Sequence, residues 1–276
     1  MPFDLGDTVR LAADSTDPGG TLTNATAAAL TITLPDGTTV TPPVTNPPAQ
    51  TGKYTADYVT VQPGRHQVRW VFTSPASAYA DALDVRPADP HYLFSHADAK
   101  KHLNIPASST SDDEEIRDWN AASTLCVEHF VGPVAKRTVT ERHSFGTASV
   151  RVLRQIPALT LVSLVPVLNG GTSYDPGDLD LDGETGLVQR LDGGQLYGPL
   201  RITYTVGRAM IPPNIGNAGR IILQHLWRTQ RGGSRGAVLA GSEDYSVSEP
   251  IPGLGYAVPN RALELLEPDR LPPGSA

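Results

Sequence analysis

The hydrophobic period of this chain first changes at a short proline-marked stretch, Pro87-Ala88-Asp89-Pro90. Before it, apolar and polar residues alternate, the pattern of strands with one buried face. After it, apolar residues first recur at helical spacing. One regular element cannot satisfy both periods. The switch therefore predicts two bodies of different class, joined by a linker that closely spaced prolines hold extended. With 276 residues the chain is long enough for each body to bury its own core.

In the first body the alternation predicts strands over Thr8–Ala13, Ala29–Leu34, Lys53–Val59, Gln67–Thr73 and Asp81–Val85. Pro35-Asp36-Gly37 is a turn signal, because Pro presets φ and Gly accepts a positive one. Val68, Trp70 and Phe72 share one strand face, expected to be the buried one. Short strands at regular spacing, in a chain with 26 Gly and 25 Pro, predict an all-β sandwich over residues 1–88. The strand PGRHQVRWVF followed by a closing ADALDVRP resembles the immunoglobulin-like modules of phage and bacterial surface proteins. An antibody-type cysteine pair is absent, so the resemblance is one of architecture.

The second body, residues 89–236, opens with Ser95 and Asp98 in a capping-box pattern, predicting a short helix that carries Ala99 and Leu103 and stops at Pro106. Asp112 and Glu115 repeat the signature. Ile116, Trp119, Ser123, Cys126, Val127 and Phe130 form the expected apolar stripe of a second helix, ended by Gly132-Pro133. Strands are expected over Thr138–Phe145, Ser149–Leu153, Leu161–Leu168, Leu187–Arg190 and Leu200–Val206. A third helix, roughly Ile215 to Gln230, carries a wide apolar face that calls for burial against a sheet or a neighbouring subunit. This body is α+β, about three helices with a small antiparallel sheet. Residues 237–276, rich in Gly and Pro, read as an extended arm.

Charge and cysteine content narrow the function. A net charge of -7 argues against a phosphate-driven affinity for nucleic acid. The single cysteine, Cys126, excludes an intramolecular disulfide and fits a reducing compartment or a family that does not use thiols. The polar start MPFDLGDTVRLAADS lacks the basic and apolar regions of a signal peptide. The longest apolar stretch, Leu159 to Leu168, falls far short of the roughly 20 residues of a membrane helix. These features predict a soluble protein made in the cytoplasm, with no membrane partner.

Chemistry-bearing patterns are sparse. Asp178-x-Asp180-x-Asp182-Gly183 matches the start of a calcium loop, but Gln189 stands where the bidentate Glu is needed and no helix pattern flanks it, so a hairpin turn is expected. His66, His91, His96, His102, His129, His143 and His225 are scattered without metal spacing. Cys126 reads as packing and His225 as a hydrogen-bonded core or interface residue. Ser144 and Ser163 lack a nucleophile elbow, and Gly253-x-Gly255 lacks a phosphate-loop context. The expectation is a protein that is not an enzyme, with no cofactor and no metal.

The succession SHADAKKHLNI, DDEEIRDWNAASTLCVEHFVG, VAKRTVTERHSF, ALTLVSLVPVLNGG, GDLDLDGETGLVQR, GPLRITYTVGR and PPNIGNAGRIILQHLWRTQRGG resembles the head-to-tail connector (adaptor) proteins of long-tailed bacteriophages. The ending GYAVPNRALELLEP is similar to that of adaptors from phages of actinobacteria. The resemblance covers residues 91 to 270, and its specificity lies in the order of elements. It implies a virion protein of the neck, assembled in the host cytoplasm. Such a protein forms a homo-oligomeric ring, commonly twelvefold, beneath the portal. The ring extends the channel for packaged double-stranded DNA without sequence-specific binding and offers a platform to a stopper or tail-completion protein. Arg228, Arg231 and Arg235, at and beyond the third helix, complement its dipole or face the portal or channel. Tyr256, Arg261, Leu265 and Leu266 complete the portal-facing set that the resemblance implies. The rival reading is a carbohydrate- or host-surface-binding module, with Tyr54, Tyr58 and Tyr79 of the first body as exposed aromatics, although an alternating strand equally accounts for Tyr54 and Tyr58 without a ligand.

Overall fold

The computed structural model describes residues 2–144, 146–231 and 258–271. The chain is mostly β, in several antiparallel sheets, with four α-helices among the described residues, and divides into two compact units, Met1–Pro90 and His91–Ala276.

The first unit holds β1 (Thr8–Asp14), β2 (Ala27–Thr33), β3 (Thr39–Val40), β4 (Lys53–Val59), β5 (Gly64–Thr73) and β6 (Ser77–Val85). β1 pairs with β4, and a second antiparallel sheet runs β3-β2-β5-β6. The sequence alternation becomes packing here: Tyr54, Ala56 and Tyr58 of β4 meet Val68, Trp70 and Phe72 of β5 in one core shared by both sheets. Trp70 stacks on Phe72 with centroids 6.0 Å apart, and Tyr54 lies 5.0 Å from the same ring. Each such side chain contributes roughly 1.5–3 kcal/mol of apolar burial. The Tyr54 hydroxyl accepts from the Ala25 N–H at 2.9 Å and donates to Asn46 Oδ1 at 3.1 Å, so its polar end is satisfied. Gly37 stands at φ +85, and Asp36 Oδ1 accepts from the Thr38 N–H, as the turn signal required.

The second unit holds α1 (His96–His102), α2 (Asp113–Val131), β7 (Arg137–His143), β8 (Val150–Val152), β9 (Ala158–Pro166), β10 (Leu179–Asp182), β11 (Leu187–Arg190), β12 (Leu200–Val206), α3 (Pro213–Arg231) and α4 (Asn260–Leu266). Its strands form two antiparallel sheets, β10-β11-β8 and β7-β12-β9. Two cores result. One gathers the helices around Ile116, Val127, Ile215, Ile222 and Leu266; the other fills the space beneath the strands around Leu164, Val188, Leu200, Ile202 and Tyr204.

Local signals account for most helix boundaries. Ser95 caps α1, its Oγ accepting from the Asp98 N–H at 3.1 Å. α2 differs, because Asp112 makes no side-chain cap bond. Its start is instead tied to α1 by Lys100, whose Nζ reaches Asp113 Oδ1 at 2.7 Å and the Ala107 carbonyl at 3.2 Å. Gly132 ends α2 at φ +71, where a Cβ would stand 2.1 Å from the Ile156 carbonyl oxygen, so only glycine fits.

Two expectations are corrected. The buried line of α2 runs through Ile116, Asn120, Ser123, Thr124, Val127 and Val131, while Trp119, Cys126 and Phe130 are half-buried. Polar residues enter this line because they hold the segment before α1: Asn120 Nδ2 donates to the Phe94 carbonyl at 2.8 Å, and Thr124 Oγ1 accepts from the Leu93 N–H at 2.9 Å. The second correction concerns the expected arm over 237–276. Its residues Asn260–Leu266 form α4, with Ala262 and Leu266 buried among the other helices. Residues 237–257 and 272–276 lie outside the described residues. One i,i+4 apolar pair gives this short helix a face to bury, and Asn214 Nδ2 fastens its end to the Leu265 carbonyl at 2.9 Å and to Asp269 Oδ2 at 2.8 Å.

Candidate functional site

The basic and apolar residues expected to meet a portal do not form one cluster. Arg228 is exposed on α3, and Arg231 is the last residue of that helix. Arg235 and Tyr256 fall outside the described residues. Arg261 is exposed and Leu265 half-buried, one turn apart on α4. Leu266 is 1% exposed inside the helical core, so it holds α4 in place and is not available to a partner. Asn214 binds the end of α4 near the start of α3, about 20 Å along the helix from Arg228 at 1.5 Å per residue. The structure separates Arg228 and Arg231 from Leu265 and Leu266.

The rival set also breaks up. Tyr54 and Tyr58 are core residues, 0% and 4% exposed, because β4 alternates and both point inward. Only Tyr79 is exposed, its hydroxyl donating to Asp81 at 3.1 Å. In the Asp178–Gly183 segment, Asp182 accepts the Glu184 N–H at 3.1 Å, and Asp180 accepts from Gln189 at 3.1 Å. These carboxylates shape the β10–β11 hairpin. Among the described residues no group of three His, Cys, Asp or Glu is placed to hold a metal ion. Among them, too, no helix is long and apolar enough to cross a membrane.

Sequence reading missed the buried charge of the second unit. Glu128 near the end of α2 accepts from Arg137 of β7 at 2.7 and 2.9 Å and from the Val134 N–H at 2.9 Å, locking helix to sheet. Together with Gly132, Pro133, Arg154, Gln155, Ile156 and Leu271, this pair lines a largely apolar cleft of about 170 Å³. Beneath the loop that carries Arg154, Glu141 accepts from the Tyr204 hydroxyl, from the Arg154 N–H at 3.1 Å and from His143 Nε2 across 3.2 Å. Burial pushes the Glu141 carboxyl up, but these three donors outweigh it and the net displacement is downward. Burial first, then the Glu141 contact, pushes the Tyr204 phenol well above its ordinary range. Asp113 is held low by Lys100 and then by His96. His102 is pushed down by burial, with Arg220 and Arg228 adding like charge. Burial alone pushes His225 down.

The sheet β7-β12-β9 has two unlike faces. The inner face carries Glu141, His143, Ile202, Tyr204 and Leu164. On the outer face the register stacks three rungs, Arg142–Arg201–Val165, Thr140–Thr203–Ser163 and Thr138–Thr205–Thr160, of which the last is covered at Thr205. Thr140 and Thr203 share a hydrogen bond at 3.0 Å. Arg142 and Arg201 stand directly opposite each other, both exposed, and among the described residues neither side chain makes an ion pair or a hydrogen bond. Alternation could have shown that Thr138, Thr140 and Arg142 share a face. Their meeting with Arg201 depends on a register that sequence does not supply.

No protein-family model matches the chain, and no curated protein matches it. Among solved structures it is matched to a crystal structure of the Lin-41 filamin domain. The match has 20% identity, covers 31% of this chain and 82% of that one, and has a TM-score of 0.26. A likeness that loose carries no argument about fold or function.

Proposed function

We propose that this chain is a structural virion protein, a head-to-tail adaptor of a long-tailed phage. In this reading an immunoglobulin-like β-sandwich precedes an α+β adaptor domain, and the C-terminal segment folds helix α4 back onto α3. The protein forms a ring beneath the portal, extends the DNA channel in the neck and presents a surface to a stopper or tail-completion protein. Ring contacts are heterologous and close by rotation.

The observation that supports the reading most is the order of elements within one compact unit: α1, α2, strands β7 to β12, α3 and α4. From α1 to α3 that succession is the one on which the adaptor resemblance rests. Exposed Arg228 and Arg261 remain candidates for partner carboxylates, and Leu265 for a partly apolar contact beside Arg261. A ring of such copies draws its binding energy from apolar burial, with charged rims setting register. No observation favours the glycan-binding alternative, which loses Tyr54 and Tyr58 to the core.

Sedimentation velocity of the chain mixed with the portal from the same genome tests the reading. A single boundary heavier than the portal, carrying about one chain per portal subunit, is expected from ring docking. Two independent boundaries at saturating concentration overturn it.

A further inference from the structure

We propose that the outer face of β7-β12-β9 is a phosphate-contacting surface for double-stranded DNA, with Arg142 and Arg201 as its two cationic contacts. The duplex as the source of those phosphates rests on the neck-channel reading; the anion chemistry rests on the face itself.

Like charges directly opposite on neighbouring strands weaken a sheet. Arg142 and Arg201 occupy such a pair, both exposed and both without an anion among the described residues. No carboxylate stands on the three rungs to neutralise them, although the opposite face of the same sheet carries Glu141. An anionic partner removes the repulsion and gains two charge-assisted contacts, for which a guanidinium fork is suited. Thr205 is buried and Val165 apolar, and the remaining positions are hydroxyls open to solvent in full or in part: Thr138, Thr140, Thr160, Ser163 and Thr203. Threonine and serine hydroxyls are common donors to phosphate oxygens, recurring here every ~6.8 Å along a strand.

The composition of the face also chooses among nucleic acids. It offers no aromatic ring on which an unpaired base could stack, and a flat sheet face cannot enter a groove as a helix does. Contact is confined to the backbone and is independent of sequence. Two cations per copy hold a duplex weakly, in keeping with DNA that has to slide past. The net charge of -7 does not oppose this at contact range, because repulsion from the rest of the surface is screened beyond about 10 Å at 0.1 M salt.

The test is fluorescence anisotropy of a short labelled duplex of mixed sequence, titrated with the full chain at several salt concentrations. Two neutralised phosphates predict a log–log salt slope of about -1.8, an affinity loss of roughly tenfold between about 50 and 200 mM salt. The double variant Arg142→Ala/Arg201→Ala is expected to lose that slope while its melting temperature stays level or rises, because a repulsion has been removed. Arg142→Lys/Arg201→Lys is expected to keep it, since the charge count is unchanged. Unaltered binding by the alanine variant overturns the proposal, as does failure of the wild-type chain to bind duplex at low salt. Arginine-dependent binding of polyglutamate without duplex binding overturns it in favour of an acidic protein partner. An alanine variant that keeps the wild-type slope yet still docks on the portal defeats this face and spares the adaptor reading. The opposite pair of results spares the face and defeats the adaptor.

Discussion

The first unit encloses one charge, Arg86 beside Asp4, and keeps its other ion pairs at the surface, whereas the second builds several pairs in. Arg10 and Asp57 pair across β1 and β4 at 2.8 Å with side chains 71% and 50% exposed. Solvent screens a pair of that kind, so it adds little to stability. Beneath them the core is Trp70, Tyr54, Phe72 and their aliphatic neighbours. In the second unit Lys100 with Asp113, Glu128 with Arg137, and Glu141 with His143 are mostly enclosed. A buried pair contributes little over an apolar replacement, yet losing one partner is severe. The first unit therefore depends mainly on shape, and the second to a larger extent on which groups carry charge.

Substitutions that act on only one of these dependencies separate the units. Trp70→Ala empties the largest fully buried side chain of the first core and should cost about 3–5 kcal/mol. In urea titrations the first unit's transition should move to lower denaturant and the second's should not. If both transitions move together, the units are energetically one body. Glu128→Ala strands Arg137 and two backbone N–H groups, a loss of about 3 kcal/mol confined to the second unit. A Glu128→Ala chain as stable as wild type would remove buried charge from the account.

Acid provides a gentler separation. Glu141 and Asp113 titrate below their ordinary values in the folded chain. A carboxylate with a depressed folded pKa contributes stability above its unfolded pKa, and that contribution is lost as pH falls through the folded one. The second unit should therefore lose stability steadily below about pH 4. The first unit holds its low carboxylates, Asp36 at about 2 and Asp57, at the surface, where solvent screens them. Its melting temperature should fall less over the same range; equal slopes would erase the contrast. The smallest effect belongs to the outer sheet face, where Arg142→Ala/Arg201→Ala should leave stability level or raise it by a few tenths of a kcal/mol. A clear destabilisation would mean that the two arginines have a structural role.

The same contrast explains what sequence could show. Alternation in KYTADYV and QVRWVF placed β4 and β5 and their buried faces, because period and burial coincide where one face is wet. The Ser95 cap and Gly132 stop were legible because both act on the backbone nearby. Helix α4 was hidden by the glycines and prolines around it, although Ala262 and Leu266 already carried the spacing of a buried face. Asn120 and Thr124 turned the buried line of α2 by bonding to residues far away in sequence. The Arg142–Arg201 rung was out of reach for the same reason: it exists only once β7 and β12 are in register. Buried charge and cross-strand pairs are properties of tertiary structure, and the composition of a segment does not encode them.

Negative-stain electron microscopy of the chain mixed with the portal from the same genome tests the adaptor reading most directly. A ring of added density beneath an intact portal is the predicted result. An intact, correctly assembled portal left bare at saturating concentrations of the chain would contradict it.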